Sequence, residues 1–138
     1  MKMNDRKCVI VVDENLPIGI IANTAAILGI TLGARLPDVV GANVRDGRNL
    51  EHMGIIEFPV PILKASAEML GTLRLSLYDK EYADLTIADF TDIAQSCGTY
   101  DEFIDKISSA EDLRYFGIAL CGSKKKVNRL TGSLPLLR

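Results

Sequence analysis

The sequence predicts an α/β fold: a single-domain, three-layer sandwich in which a mixed, mostly parallel four-stranded sheet carries helices on both faces. Strand-like and helix-like segments alternate along the chain, which is typical of layered α/β domains. The first strand-like run is apolar on both faces, as expected for a central strand covered on two sides. No linker or repeat divides the 138 residues, so we expect one domain over residues 1–138.

The first half of the chain begins with a buried β-branched strand over residues 8–12. Pro17 suits a helix start, so the uncharged segment after it predicts a helix over 18–33. Polar residues and three glycines over 37–54 predict an irregular excursion, which is a candidate functional loop. Two prolines within 55–63 indicate an edge strand or an irregular one.

The second half of the chain continues the alternation. Apolar residues at three- and four-residue spacings predict a helix over 65–78, and an alternating pattern predicts a strand over 84–90. A capping-box pattern begins a short helix over 99–107. A strand over 115–121 and a last helix from Lys124 follow, and the apolar tail after that helix must pack against the domain.

Composition excludes several classes of protein. The chain has 18 acidic and 16 basic residues, so no global field attracts nucleic acid or anionic lipid, and RNA contact requires a local patch. Cys8, Cys97 and Cys121 are odd in number and form no Cys-x-x-Cys pair. This spacing argues against a disulfide scaffold and a zinc knuckle, and it favours a reducing cytoplasm.

One segment approaches the length of a membrane-spanning helix. Residues 16–34 carry no charge, but they include Asn23, Thr24, three glycines and four alanines. A buried helix packed closely on a sheet explains these small residues better than a membrane span does. The charged start of the chain, MKMNDRK, does not resemble a secretory signal, so we expect a protein without a membrane segment.

Residues suited to catalysis are few. His52 is the sole histidine, and an exposed loop histidine is the alternative to a catalytic or ligand role. We expect no metal site and no cofactor, because a second histidine and metal-site spacing of acids are missing. Cys97 lies near a helix start, which lowers a thiol pKa, but a small apolar filler is the alternative.

Asn23 and Thr24 are candidate ligand-binding residues, because they interrupt an otherwise uncharged helix just after its start. Buried amide and hydroxyl groups need hydrogen-bond partners, so the pair could instead bond to a strand end or line a dimer contact. Asp89, with Thr91 close by, lies at the predicted carboxyl end of a strand, where ligands commonly bind in parallel sheets. A helix cap or turn cap is the alternative for Asp89.

A basic cluster begins the last predicted helix and forms a second candidate binding site. Ser123 and Lys124 lie at its start, Lys125 and Lys126 follow, and Asn128 comes one turn later. Free backbone amides at a helix start already favour anions, so a phosphate could bind there. The alternative is a solvated basic face, since consecutive lysines cannot all point one way.

The tail VNRLTGSLPLLR resembles the end of peptidyl-tRNA hydrolase II, which carries a similar Val-Thr-Gly-x-Leu-x-Leu signature, here Leu130–Leu136. With the segments DLTIADFT and PIGIIANTAA, the whole chain looks like the two-thousandth family of domains of unknown function, a bacterial family that shares that fold. The resemblance implies a peptidyl-tRNA hydrolase II-like sandwich with Thr131 near its site. It also implies a homodimer, because the hydrolase associates in pairs.

Departures from the hydrolase pattern bear on activity. The hydrolase begins its first helix with a Gly-Lys pair and a stretch carrying a histidine, and both residues are associated with its activity. Residues 19–27 here contain neither lysine nor histidine. Asp89 matches the aspartate of the hydrolase's Val-Arg-Asp-Ala-Gly segment, so the resemblance carries over Asp89 and the nearby Thr91 as candidate catalytic residues.

Two functions of different classes follow, and the sequence leaves open whether the protein is an enzyme. In the first, a cleft holds a small anionic ligand or an RNA end, using the residues Asn23, Thr24, Asp89, Ser123, Lys124, Asn128 and Thr131. In the second, the protein is a divergent hydrolase of peptidyl-tRNA or a related acyl ester, with Asp89 orienting water and Asn23 or Thr24 polarising the carbonyl. Loss of the lysine and histidine favours binding, since an acid without its partners cannot be assumed to hydrolyse an ester.

Overall fold

The computed structural model describes residues 5–138, and its secondary structure confirms an α/β domain with a mixed four-stranded sheet. In chain order the elements are β1 Arg6–Asp13, α1 Ile18–Arg35, β2 Val44–Arg45, β3 Glu51–His52, β4 Ile62–Ala65, α2 Ala67–Ser76, β5 Thr86–Thr91, α3 Asp92–Ser96, α4 Tyr100–Ser108, β6 Tyr115–Ser123 and α5 Lys124–Thr131. Short 3-10 turns precede β2 and β5.

The main sheet has the strand order β4-β1-β6-β5. β1 is parallel to β4, while β6 lies between β1 and β5 and is antiparallel to both. Three strands therefore run in one direction, but only one of the three neighbouring pairs is parallel. The prediction that the sheet is mostly parallel is therefore wrong. β6 follows β5 as its antiparallel neighbour, and such a pair needs no crossover connection.

Helices cover both faces of the sheet. α1 packs on the face formed by Cys8, Ile10 and Val12, and α2 and α5 pack on the face that includes Val9 and Val11. The strand predicted over residues 8–12 is buried on both sides, which explains its continuous apolar run. By length and composition α1 alone, among residues 5–138, could cross a membrane. The expectation of a buried helix is wrong in part, because only Thr24, Leu28 and Leu32 of α1 are buried against the sheet.

Two predicted segments differ from the structure. The edge or irregular strand predicted over 55–63 is confirmed in kind but not in its bounds. β4 lies at the edge of the sheet and begins only at Ile62, and Ile56 makes an isolated bridge to Val40. Proline lacks the N–H that a ladder requires, so the strand forms after Pro61. The excursion over 37–54 contains the hairpin β2–β3, whose turn is closed by backbone amides that donate to the Asp46 carboxylate.

The cysteines form a bond that the sequence argued against. Cys8 and Cys121 are directly opposed in the β1–β6 ladder and joined by a disulfide, and Cys97 is free. The two partners lie 113 residues apart in sequence, so only the strand register reveals the pair. Disulfides are more typical of oxidising compartments, so the cysteines no longer support the expected cytoplasmic location.

The apolar tail completes the sheet at its β4 edge. The Lys64 amide donates to the Pro135 carbonyl at 3.0 Å, and the Leu137 amide donates to the Ile62 carbonyl at 2.8 Å. Leu63 and Leu136 form an isolated antiparallel bridge. An uncovered edge strand presents unpaired backbone groups to other chains, so the tail protects β4.

Deleting residues 134–138 should therefore destabilise the domain and promote association. We expect a loss of roughly 1–3 kcal/mol, from the two backbone hydrogen bonds and the apolar contacts of the tail. Urea unfolding monitored by circular dichroism measures the loss. Deleting Arg138 alone keeps both hydrogen bonds and serves as the control; equal stability of the two truncations contradicts the role assigned to the tail.

Gly117 lets α1 lie close to the sheet. A Cβ at this position meets the Thr24 side chain, Leu28 and the Val11 carbonyl. Gly117→Ala should cost about 1–3 kcal/mol by overpacking. Gly71 lies in α2 with nothing within 4 Å of a Cβ, so Gly71→Ala should stabilise by up to about 1 kcal/mol. Thermal unfolding of both variants checks the opposite signs.

Candidate functional site

The structure separates the residues that were expected to form one cleft. Thr24 packs against Gly117 on the α1 face of the sheet. Asp89 is paired in register with Ile118, whose side chain lies in the opposite core, and it contacts Arg74 of α2. Directly opposed residues of a ladder point to the same face. Asn23 and Thr24 are therefore divided from Asp89 by the sheet.

The hydroxyl groups of the three candidate threonines form hydrogen bonds with backbone groups of the same chain. Thr24 donates to the Ile20 carbonyl at 2.8 Å and Thr131 donates to the Val127 carbonyl at 2.7 Å. Thr91 caps α3 by accepting a hydrogen bond from the Ala94 amide at 3.3 Å. All three side chains are buried. Thr24 thus bonds to its own helix instead of to the strand end that was the alternative to ligand binding.

Asn23 is exposed, and its amide donates to Gln95 at 3.1 Å. This contact ties α1 to the short helix α3, which sequence analysis missed. The hydroxyl of Thr91 at its start was a visible capping signal.

Asp89 lies in a polar cluster between β5 and α2. Its carboxylate accepts a hydrogen bond from Arg74 Nε at 2.7 Å, and the Arg74 guanidinium stacks 4.2 Å from the ring centroid of Tyr78. Burial raises the pKa of the Tyr115 phenol, and the Asp89 carboxylate raises it further. The side chains of Arg74 and Asp89 are 11% and 26% exposed, so this pair is only partly open to a substrate.

Asp13 is a fully buried carboxylate that the sequence analysis did not single out. It ends β1, accepts a hydrogen bond from the Asn15 amide at 2.9 Å and pairs with Arg114 Nη2 at 2.9 Å. Asp92 accepts from the Arg114 amide at 3.2 Å. These bonds join the end of β1 to the loop before β6. An acid that ends an apolar strand was the available signal, because a buried charge needs a partner.

Removal of the Arg114 side chain, which pairs with Asp13, should destabilise the domain. Arg114→Ala leaves the Asp13 carboxylate with only a backbone donor, and we expect a loss of roughly 2–4 kcal/mol. Chemical denaturation measures it. Lys106 pairs with Glu102 on the exposed face of α4, so Lys106→Ala should behave as an ordinary surface substitution. An equally small effect of Arg114→Ala contradicts a structural role for the buried pair.

A groove of about 800 Å³ lies at the opposite end of β1, where Lys124 begins α5. We call it the basic groove; it is lined by Arg6, Lys7, Glu57, Phe58, Pro59, Pro61 and Lys124. Strand pairing brings these segments together, because Arg6 is opposite Ser123 and Lys7 is opposite Gly122. Of the seven, only Lys124 was among the candidate site residues.

Two further candidates lie beside the basic groove. Ser123 caps α5 by accepting a hydrogen bond from the Lys126 amide at 3.3 Å. Asn128 accepts a hydrogen bond from Lys7 Nζ at 2.6 Å. Ser123 thus helps to fix the position of Lys124, and Asn128 fixes that of Lys7.

Acidic partners neutralise most other cations in this region. Arg6 pairs with Asp38 at 2.6 Å, and this hydrogen bond lowers the pKa of the Asp38 carboxyl. Lys126 pairs with Asp84 at 2.8 Å and likewise lowers the pKa of that carboxyl. Arg129 pairs with Glu81. Lys7 and Lys124 make no ion pair with any of residues 5–138, and neither does Lys125, which lies outside the groove.

His52 belongs to the hairpin instead of either polar cluster. Its Nε2 lies 2.9 Å from the Asp46 carboxylate, and this hydrogen bond is the main cause of the lowered pKa of Asp46. Both side chains are largely exposed. Within residues 5–138 no three histidine, cysteine or acidic side chains are placed to hold a metal ion.

Comparison with other proteins places the chain in a family. It is similar in structure to the protein of unknown function Atu0240 from Agrobacterium tumefaciens, with 18% sequence identity over 96% of this chain and 97% of that chain, and a TM-score of 0.85. At this identity the likeness shows the fold alone. No curated protein matches the chain. The family described as Protein of unknown function (DUF2000) matches residues 6–138, and the chain therefore belongs to the DUF2000 family.

Proposed function

We propose that the protein is a binding module that holds a small anionic ligand in the basic groove. The observation that carries this proposal is that Lys7 and Lys124, two cations without an ion pair among residues 5–138, line one groove. Arg6 also lines the groove but is paired with Asp38, and Glu57 adds one carboxylate. Ammonium and guanidinium groups bind phosphate or carboxylate oxygens through charge-assisted hydrogen bonds. Phe58 and two prolines form an apolar wall, which suits a ligand that joins an anionic group to an apolar or planar body.

Charge distribution favours a small ligand over an RNA end. Binding to a nucleic acid backbone depends on many cations that neutralise successive phosphates. Here Lys126 and Arg129, the cations that would extend the groove along α5, are paired with Asp84 and Glu81. The chain as a whole has a net charge of -2. Within residues 5–138 the groove is thus lined by two cations without an ion pair, Lys7 and Lys124, which suits a small anion better than a nucleic acid backbone.

We also propose that the α/β domain has a peptidyl-tRNA hydrolase II-like fold. The chain order of strand, small-residue helix and strand, together with the Leu130–Leu136 signature, supports it. The tail that carries this signature covers the β4 edge, so its role here is structural. The cytoplasmic location stays a prediction.

Hydrolysis is the second candidate, favoured by the partly exposed Asp89 carboxylate next to Arg74. Asn23 and Thr24 lie across the sheet from it and cannot polarise the same carbonyl. His52 lies in the hairpin, where it contacts Asp46. A hydrolase would therefore have to use Asp89, Arg74 and Tyr115, and we expect no cleavage of peptidyl-tRNA by the purified protein.

Titration calorimetry with pyrophosphate and with adenosine 5′-monophosphate tests binding in the groove. We expect Lys124→Glu to weaken binding at least tenfold, because it replaces an unpaired cation with an anion. Lys125 does not line the groove, so Lys125→Glu makes the same charge change as a matched control and should keep most of the affinity.

Equal losses of affinity in the two variants would indicate a general electrostatic effect and would contradict binding in the groove. No binding of either probe by the wild type would count against a phosphate-bearing ligand. The wild type could instead bind a short RNA and neither small probe, with the RNA binding abolished by Lys124→Glu. That result would identify an RNA end, and not a small anion, as the ligand.

A further inference from the structure

The two edges of the main sheet differ in how they are covered. At the β4 edge, the tail bonds to Ile62 and Lys64. β5 forms the other edge, where β6 is its single strand neighbour among residues 5–138. The N–H and C=O groups of an open strand edge are available to pair with another chain. The outer side of β5 is therefore a candidate for strand addition.

The register of the strands identifies the backbone groups at this open edge. The Ile10 amide donates to the carbonyl of the residue just before β4, so it points away from β6. Opposed residues in an antiparallel ladder exchange either two backbone hydrogen bonds or none. Ile10 therefore exchanges none with Ala119, and Ala119 exchanges both with Ala88. The backbone groups of Ile87 and Asp89 point outward, and no hydrogen bond to them is found within residues 5–138.

A groove of about 560 Å³ runs along the same edge. It is lined by five consecutive residues of β5, 86–90. Side chains alternate between the two faces of a strand, so a pocket on one face would be lined by every second residue. A groove that contacts five residues in a row follows the backbone edge. We call it the β5 groove; it lies between residues 27–35 of α1, residues 86–90 of β5 and residues 94–103 of the α3–α4 segment.

Helix α4 has an apolar face that is poorly covered. Tyr100, Phe103, Ile104 and Ile107 recur at three- and four-residue spacings, which is typical of a helix that packs one face against a core. No residue of α4 is buried, and Tyr100 is 73% exposed. Tyr100 and Phe103 line the β5 groove. The groove therefore has room for a further apolar segment between α4 and β5.

Among residues 5–138, one unpaired cation faces the β5 groove. Arg35 and Asp89 are the charged residues that line it. The Asp89 carboxylate is turned to the α2 face, where Arg74 binds it, so Asp89 borders the groove through its backbone. The exposed Arg35 makes no ion pair with any residue of the described chain. Because a guanidinium group binds a carboxylate through charge-assisted hydrogen bonds, the groove suits a ligand that carries a carboxylate.

We propose that the β5 groove binds an extended peptide that pairs antiparallel with β5 and places its C-terminal carboxylate at Arg35. β1 and β5 are both antiparallel to β6, so they run in the same direction. Arg6 at the start of β1 contacts Asp38, just after the end of α1. α1 therefore ends over the starts of β1 and β5, and an antiparallel strand beside β5 has its C-terminus at this end.

An extended peptide matches the features of this edge. Its backbone bonds to the outward amides and carbonyls of Ile87 and Asp89. Its alternate side chains pack between α1 and α4, where Ile27 and Phe103 line the groove. In strand addition, main-chain hydrogen bonds give affinity and pockets for alternate side chains give specificity. A free acyl chain carries a carboxylate but no amide that could pair with the edge.

Phage-displayed heptapeptides with free C-termini, selected on the full-length protein, supply the probe, and fluorescence anisotropy measures its affinity. We expect amidation of the peptide's C-terminus and Arg35→Glu each to weaken binding about tenfold or more. Amidation should have no further effect on Arg35→Glu, because both changes remove the same ion pair. Arg48 is exposed on the β2–β3 hairpin, and Arg48→Glu makes the same charge change as a control that should keep the affinity.

Backbone methylation of the selected peptide tests the strand pairing itself. Peptide amides that face β5 alternate with amides that face away. Methylation of one amide nitrogen at a time should therefore abolish binding at every second position and leave it nearly unchanged at the positions between. Equal effects at all positions would contradict pairing with β5.

Three further outcomes would overturn the proposal. One is a selection that enriches no peptide, and another is full affinity of Arg35→Glu for the selected peptide. The third is a protein that is dimeric alone and monomeric as Arg35→Glu, which would assign the edge to a second copy. Lys124 lines the basic groove, so Lys124→Glu should bind the peptide as the wild type does; a loss of peptide binding in that variant would place the peptide in the basic groove instead.

Discussion

The antiparallel pairing of β1 with β6 is the constraint on which the rest of the structure depends. Both strands are central, and most of their side chains are buried between two helical layers. Their register places Cys8 opposite Cys121 and Arg6 opposite Ser123. A one-residue shift would turn every side chain of β1 to the other face. The two hydrophobic cores, the disulfide and the basic groove therefore all depend on the register of β1 with β6.

Elements with a strong local pattern could be predicted from the sequence. The apolar run 8–12, the uncharged helix and the capping signals at Thr99 and Ser123 all correspond to observed elements. Their patterns depend on neighbours within a few residues. The short helix α3 was missed because one capping threonine is a weak signal without an apolar repeat.

Contacts between distant segments could not be predicted in the same way. The Asp13–Arg114 pair joins residues 101 positions apart, and Lys7 meets Asn128 across 121. The candidate cleft combined Asn23, a polar interruption of the first helix, with Asp89, an acid at a predicted strand end. Alternation within β5 turns the Asp89 side chain away from α1. One residue of strand alternation therefore decides whether two polar groups can act on one ligand.

The order of the strands also affects how the chain folds as the ribosome makes it. β1 emerges first, but its antiparallel neighbour is β6, and the residues that cover the β4 edge come later still. Synthesis releases about 5–20 residues per second, so β1 spends several seconds without its main partner. During that time its apolar run is available to chaperones or to other nascent chains.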